Sequence, residues 1–104
     1  MLKYKKNEEY DVKKVLYDYG QMQYESGLAS GRWEKNEYTH DETSNIYLSA
    51  MKSYAKDYQI DYDHNLDSYK EYDDEEESIT IDRMAFDIQC LVEKKMIDIL
   101  LKNL

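Results

Sequence analysis

Residues 78–104, SITIDRMAFDIQCLVEKKMIDILLKNL, decide the fold class. Ile81, Met84, Ala85, Ile88, Leu91, Val92, Met96 and Ile99 recur at three- and four-residue intervals, the spacing that gathers side chains on one face of an α-helix. Neither proline nor glycine interrupts the run, so a helix is expected from about 79 to 103, starting at Ser78 or Thr80. Phe86, Cys90, Ile97, Leu101 and Leu104 fall on the opposite side. A short chain has little with which to cover both faces. Either this helix is the centre of a three-layer packing, or its second face is an oligomer interface, for which a symmetric dimer is the commonest arrangement.

Upstream, Thr39 with Glu42 fits a capping box, and Tyr47, Leu48, Met51, Tyr54, Ala55, Tyr58 and Tyr62 share one face, giving a helix at about 42–62. The same phase carried through the next stretch places Tyr69 on that face and Tyr72 at its edge. A break near Asp63 to Leu66 and a further helical segment at 66–74 follow. Nearer the N-terminus, Asn7 with Glu8 and Glu9 marks the start of a helix at about 8–27, which ends among Gly27 to Gly31. Val12, Val15, Leu16, Tyr19 and Met22 lie on one side of it, and Tyr10, Tyr17, Tyr24 and Leu28 nearly opposite. Gly20 costs this helix about 1 kcal/mol relative to alanine unless it marks a close packing contact. Residues 32–38 have no helical period and read as a loop or one short strand. The expectation is an all-α fold of three to four helices in a single domain, 1–104.

Composition narrows the chemistry. Cys90 is the one cysteine, so there is no internal disulfide and no multi-thiolate metal site; a small apolar side chain is the simpler role for it. No apolar run approaches the length that spans a bilayer, and Met1-Leu-Lys-Tyr-Lys-Lys lacks the apolar stretch of a secretory signal, so a cytoplasmic protein is expected. His40 and His64 are far apart, and the serines and threonines have no partnered base. Gly-rich phosphate loops and nucleophile elbows are absent from the sequence, and no catalytic residue or cofactor is expected. There are twelve tyrosines against one phenylalanine, and no proline; much of the excess of tyrosine, lysine, asparagine, isoleucine and aspartate fits supply from an AT-rich genome, which does not explain their placement.

The charge is concentrated. Between Asp57 and Asp82 stand eleven carboxylates (Asp57, Asp61, Asp63, Asp67, Glu71, Asp73, Asp74, Glu75, Glu76, Glu77 and Asp82) with Lys70 as the one cation, so this window's formal charge of -10 accounts for the net -9 of the whole chain. A solvated acidic loop is the bland explanation, but a disordered acidic segment is ordinarily poor in aromatics, and this one contains Tyr58, Tyr62, Tyr69 and Tyr72. Asp61-x-Asp63-x-Asn65-x-Asp67 imitates the first ligands of an EF-hand. Leu66 and Tyr72 stand where that loop needs its glycine and its bidentate glutamate, so no metal site is assigned. Paired-carboxylate catalysis needs one desolvated acid, and every acid here has hydrated acidic neighbours. There remains a row of anions at phosphate-like spacing on a continued helix, competing for a cationic groove, with Tyr69 and Tyr72 offering ring edges. Trp33 beside Arg32 is either a contact residue for a partner or a lid on the helical core. Lys3, Lys5, Lys6, Lys13 and Lys14 would offset the acidic window.

In size, AT-rich composition and the Asp57–Asp82 stretch, the chain resembles small acidic phage proteins that block host defence nucleases, among them anti-CRISPR proteins and DNA-mimic antirestriction proteins. The resemblance implies a non-enzymatic inhibitor that occupies a basic nucleic-acid-binding site, such as that of a CRISPR effector, in the host cytosol. It includes no diagnostic motif and carries over no residue role. Two other classes share the electrostatics: an immunity or antitoxin protein against a basic nuclease toxin, and a dimeric adaptor with a solvated acidic loop.

Overall fold

A computed structural model describes residues 10–34, 40–62, 66–70 and 76–103, with backbone alone at 29–34, 40, 41, 66 and 67. Three α-helices, α1 (Val12–Glu34), α2 (His40–Asp57) and α3 (Glu77–Lys102), make up nearly all of it, with a 3-10 turn at Leu66–Tyr69 and no strand among the described residues. The all-helical expectation holds. α2 and α3 form the principal contact, and α1 packs against both.

The core is the apolar face of α3, with Ile81, Met84, Ala85, Ile88, Val92, Met96 and Ile99 buried against Leu48, Met51, Ala55 and Tyr58 of the α2 region and Val15 and Met22 of α1. Four methionines are fully buried in it; their flexible thioethers fill the uneven space where three helices of different sequence meet. Leu91 and Leu16, expected in these stripes, are instead 43 % and 56 % exposed. Both sit at the edge of their arcs. The covered arc of α3 is turned toward Gln89, which is buried because the Tyr47 hydroxyl of α2 donates to its side-chain oxygen.

The helix boundaries differ from expectation for local reasons. Asp11, not Asn7, begins α1: its carboxylate accepts from the Lys13 amide at 3.0 Å and its carbonyl from the Val15 amide at 2.9 Å. Tyr10 is not helical, and residues 1–9 lie outside the described residues. α1 runs through Gly27 and Gly31 to Glu34, so the first positions of the expected 32–38 strand are helical and 35–38 lie outside the described residues. A Cβ added at Gly20 or Gly27 would meet nothing within 4 Å, so Gly20 marks no close packing among the described residues.

α2 stops at Asp57, not 62. The Ile60 amide reaches back to the Ala55 carbonyl at 2.8 Å and the Gln59 amide to Lys56 at 3.3 Å, while Gln59 takes φ 57°. This is a Schellman cap with a glutamine in the left-handed position usually held by glycine. Ile60 packs on the core, which fixes the turn. α3 begins at Glu77, just before Ser78, the earlier of the two expected starts, with Glu76 as its cap residue; Ser78 and Thr80 lie in its first turn and are buried.

Candidate functional site: the acidic connection and its tyrosine floor

The acidic segment is a connection between α2 and α3, not a continued helix. Its expected single row of carboxylates is therefore broken at the outset: the turn at 58–59 ends the helical phase, 60–62 are non-helical, and only Leu66–Tyr69 recover a 3-10 turn. Of the expected 66–74 helix, Lys70 is non-helical and 71–74 lie outside the described residues. Asp57, Asp61, Glu76 and Glu77 are exposed. Asp67 belongs to the 3-10 turn by its backbone, and Asp63, Glu71, Tyr72, Asp73, Asp74 and Glu75 lie outside the described residues. Asp82 is half-buried on α3.

The tyrosines described in this stretch pack inward as expected, although the helical phase does not carry through it. Tyr58 is buried, and Tyr62 and Tyr69 are half-buried against the core. Arg83 of α3 donates from its guanidinium to the Tyr69 carbonyl, tying the middle of the connection to the last helix. Glu76 and Glu77 place negative charge at the N-terminus of α3, where the helix dipole favours it; Asp57 sits at the C-terminus of α2, where the dipole opposes it. Lys70 is exposed within the segment.

A second carboxylate cluster escaped the sequence reading. Asp18 is buried in α1 and accepts from the Tyr58 hydroxyl at 2.7 Å and from Lys14 Nζ at 2.9 Å. The Tyr10 ring stacks on Tyr58 with centroids 5.3 Å apart, and Lys95 Nζ lies 6.0 Å from the Tyr10 centroid. These contacts join all three helices at one end. Burial, then donation to Asp18 and its charge, pushes the Tyr58 hydroxyl far above the ordinary tyrosine range. The hydrogen bond to Asp18 raises Lys14, and the charges of Asp18 and Asp57 add to it. A hollow of 360 Å³ opens here, lined by Tyr10, Asp11, Lys14, Val15, Asp18, Asp57 and Tyr58. The signal was present in the sequence, because Asp18 stands three residues from Val15 and four from Met22, a polar group on an apolar stripe. Gln89, four residues from Ala85, is the same signal on α3; its amide also reaches Glu93 at 3.3 Å, which accepts from Gln23 of α1.

Several apolar residues on the second face of α3 are exposed among the described residues. Phe86, Ile97 and Leu101 are exposed, as are Cys90, Ile79 and Leu91, while Leu104 lies outside the described residues. Local desolvation, then Glu93 and Asp87, pushes the Cys90 thiol up and keeps it protonated at neutral pH. The side chains of Arg32, Trp33 and His40, and the whole of His64, lie outside the described residues.

No grouping of three or more histidine, cysteine or carboxylate side chains suited to a metal ion occurs among the described residues. None of the described helices is long and apolar enough to cross a membrane. No family model, curated protein or solved structure matches the chain.

Proposed function

We propose that this protein is a non-enzymatic inhibitor that occupies the basic nucleic-acid-binding site of a nuclease, using the acidic connection between α2 and α3. The observation that carries the reading is the concentration in the sequence of eleven carboxylates between Asp57 and Asp82, in a stretch whose described tyrosines, Tyr58, Tyr62 and Tyr69, pack on the core. Asp57 and Asp61 at one end, and Glu76 and Glu77 at the other, present anions from a backbone tied down between them at Tyr69. A cationic groove that releases counterions from phosphates would do the same for a dense set of carboxylates. Binding would be by occupation, and its encounter rate would fall as salt rises.

The test is displacement of a labelled DNA duplex from RNA-guided nucleases of low-GC bacteria across a range of ionic strength. Displacement that weakens steadily with added salt supports the proposal. Displacement indifferent to salt, or none from any nuclease whose groove binds the duplex, rejects it.

One observation favours a second reading. α2 ends at Asp57, so the carboxylates do not form the helical rod that close phosphate mimicry would use. In that case the protein is a dimeric adaptor, its acidic connection is only solvated, and amide substitutions there leave partner binding unchanged.

A further inference from the structure

We infer that the hollow where the start of α1 meets the end of α2 receives a guanidinium group, the arginine side chain of a partner protein. The inference goes beyond the inhibitor reading and holds for any partner that presents an arginine.

The hollow of 360 Å³ is lined by the three carboxylates of Asp11, Asp18 and Asp57, by Tyr10 and Tyr58, and by Lys14 as the cation among them. Its lining is therefore negative. Asp57 stands at the C-terminus of α2, whose helix dipole adds to the attraction for a cation. The charges of Asp18 and Asp57 both act on Lys14, so one cation can feel the two carboxylates together.

Asp18 gives the hollow its opening for a ligand. It is 7 % exposed, and its Oδ2 takes both internal hydrogen bonds, from the Tyr58 hydroxyl at 2.7 Å and from Lys14 Nζ at 2.9 Å. Its Oδ1 accepts none among the described residues. The sealed side-chain atoms that lack a partner there are Thr43 Oγ1 and Ser44 Oγ, so the free Asp18 oxygen is one that solvent reaches, through the hollow that Asp18 lines. A nearly buried carboxylate with one oxygen unfilled favours a donor from outside. Lys14 does not block it: its side chain is 65 % exposed and bonds the other oxygen.

The lining selects the kind of cation. No grouping of three carboxylates among the described residues is suited to a metal ion, which favours donors spread over a larger group. A guanidinium carries five N–H donors in one plane, bonds more than one carboxylate at once and sheds its hydration more readily than an ammonium. It also lies well against aromatic rings. Tyr10 and Tyr58 stack with centroids 5.3 Å apart, and Lys95 Nζ, 6.0 Å from the Tyr10 centroid, already sets one cation against this pair.

The test titrates the isotope-labelled full chain with a blocked Gly-Arg-Gly peptide, followed by amide chemical shifts, and repeats it with lysine or citrulline in place of arginine. Saturable shifts at Asp11, Val15, Asp57 and Tyr58 are expected with arginine, weaker binding with lysine, and none with citrulline, which keeps the shape without the charge. Asp57→Asn should weaken the arginine peptide about tenfold, whereas Asp87→Asn, which removes the same charge outside the hollow, should change it by less than about twofold. Lys14→Met removes the internal competitor and should tighten binding. Melting temperatures establish that each variant is folded. Shifts that are absent or scattered over the acidic surface, lysine or citrulline peptides that bind as tightly, or equal weakening by Asp57→Asn and Asp87→Asn would each overturn the inference.

Discussion

Asp18 and the carboxylates of the acidic connection are the same functional group in opposite settings. Asp18 is buried, holds the Tyr58 hydroxyl and Lys14, and lies where the three helices meet, so its charge serves the fold. Asp57, Asp61, Glu76 and Glu77 are exposed, and their charge acts outward as a field. Location separates the roles. Stability should follow the buried Asp18, and association the exposed carboxylates.

Asp18→Ala breaks that comparison most severely. It leaves the Tyr58 hydroxyl buried without its acceptor and should cost about 2 kcal/mol in urea unfolding. By contrast, the combined change Asp57→Asn, Asp61→Asn, Glu76→Gln and Glu77→Gln should move stability by no more than about 0.5 kcal/mol. Removing Asp57 relieves the C-terminus of α2, while removing Glu76 and Glu77 forfeits a favourable interaction at the start of α3, and the two offset each other.

The alkaline limb of the stability curve sharpens the distinction. Tyr58 has its hydroxyl raised in the folded state above the ordinary tyrosine value of 10.0, so the neutral form is the one the fold holds. That contribution is complete below the unfolded value and is lost as pH rises above about 10, where the unfolded chain ionises first. Tyr47 and Tyr54, raised chiefly by burial, act in the same direction. Tyr58→Phe should lower stability at neutral pH and flatten the decline above pH 10, as read by melting temperature against pH.

Smaller effects test the backbone at the boundary between the two regions. Gln59→Gly should stabilise by about 1 kcal/mol, since glycine adopts the left-handed cap position without strain. Gly20→Ala should gain a similar amount, about 1 kcal/mol of helix propensity, because its Cβ enters open space. Millimolar calcium should leave melting temperature and tyrosine emission unaltered.

Helical period made the core legible. The α3 stripe and the α2 face from Leu48 to Tyr58 could be read directly, because apolar side chains at that spacing have one way to be buried together. The ends were not legible, and each for a physical reason. α2 continued in phase to Tyr62, yet the backbone turned at Gln59 once Ile60 found the core, a choice made by tertiary contact against local preference. At Gly27 and Gly31 the helix continued despite its weak formers. Of the candidate site, the tyrosine floor was foreseen at Tyr58, Tyr62 and Tyr69. The Asp18–Tyr58 pair was missed, although a carboxylate set among Val15, Tyr19 and Met22 announced that something must satisfy it.

The most direct measurement is the inhibition constant of the variant that combines Asp57→Asn, Asp61→Asn, Glu76→Gln and Glu77→Gln, against a nuclease from which the parent protein displaces duplex DNA. Its melting temperature should match the parent's, while inhibition should weaken by about a hundredfold or more, several kcal/mol spread over the four positions. An equally stable variant that inhibits as well as the parent would contradict the account.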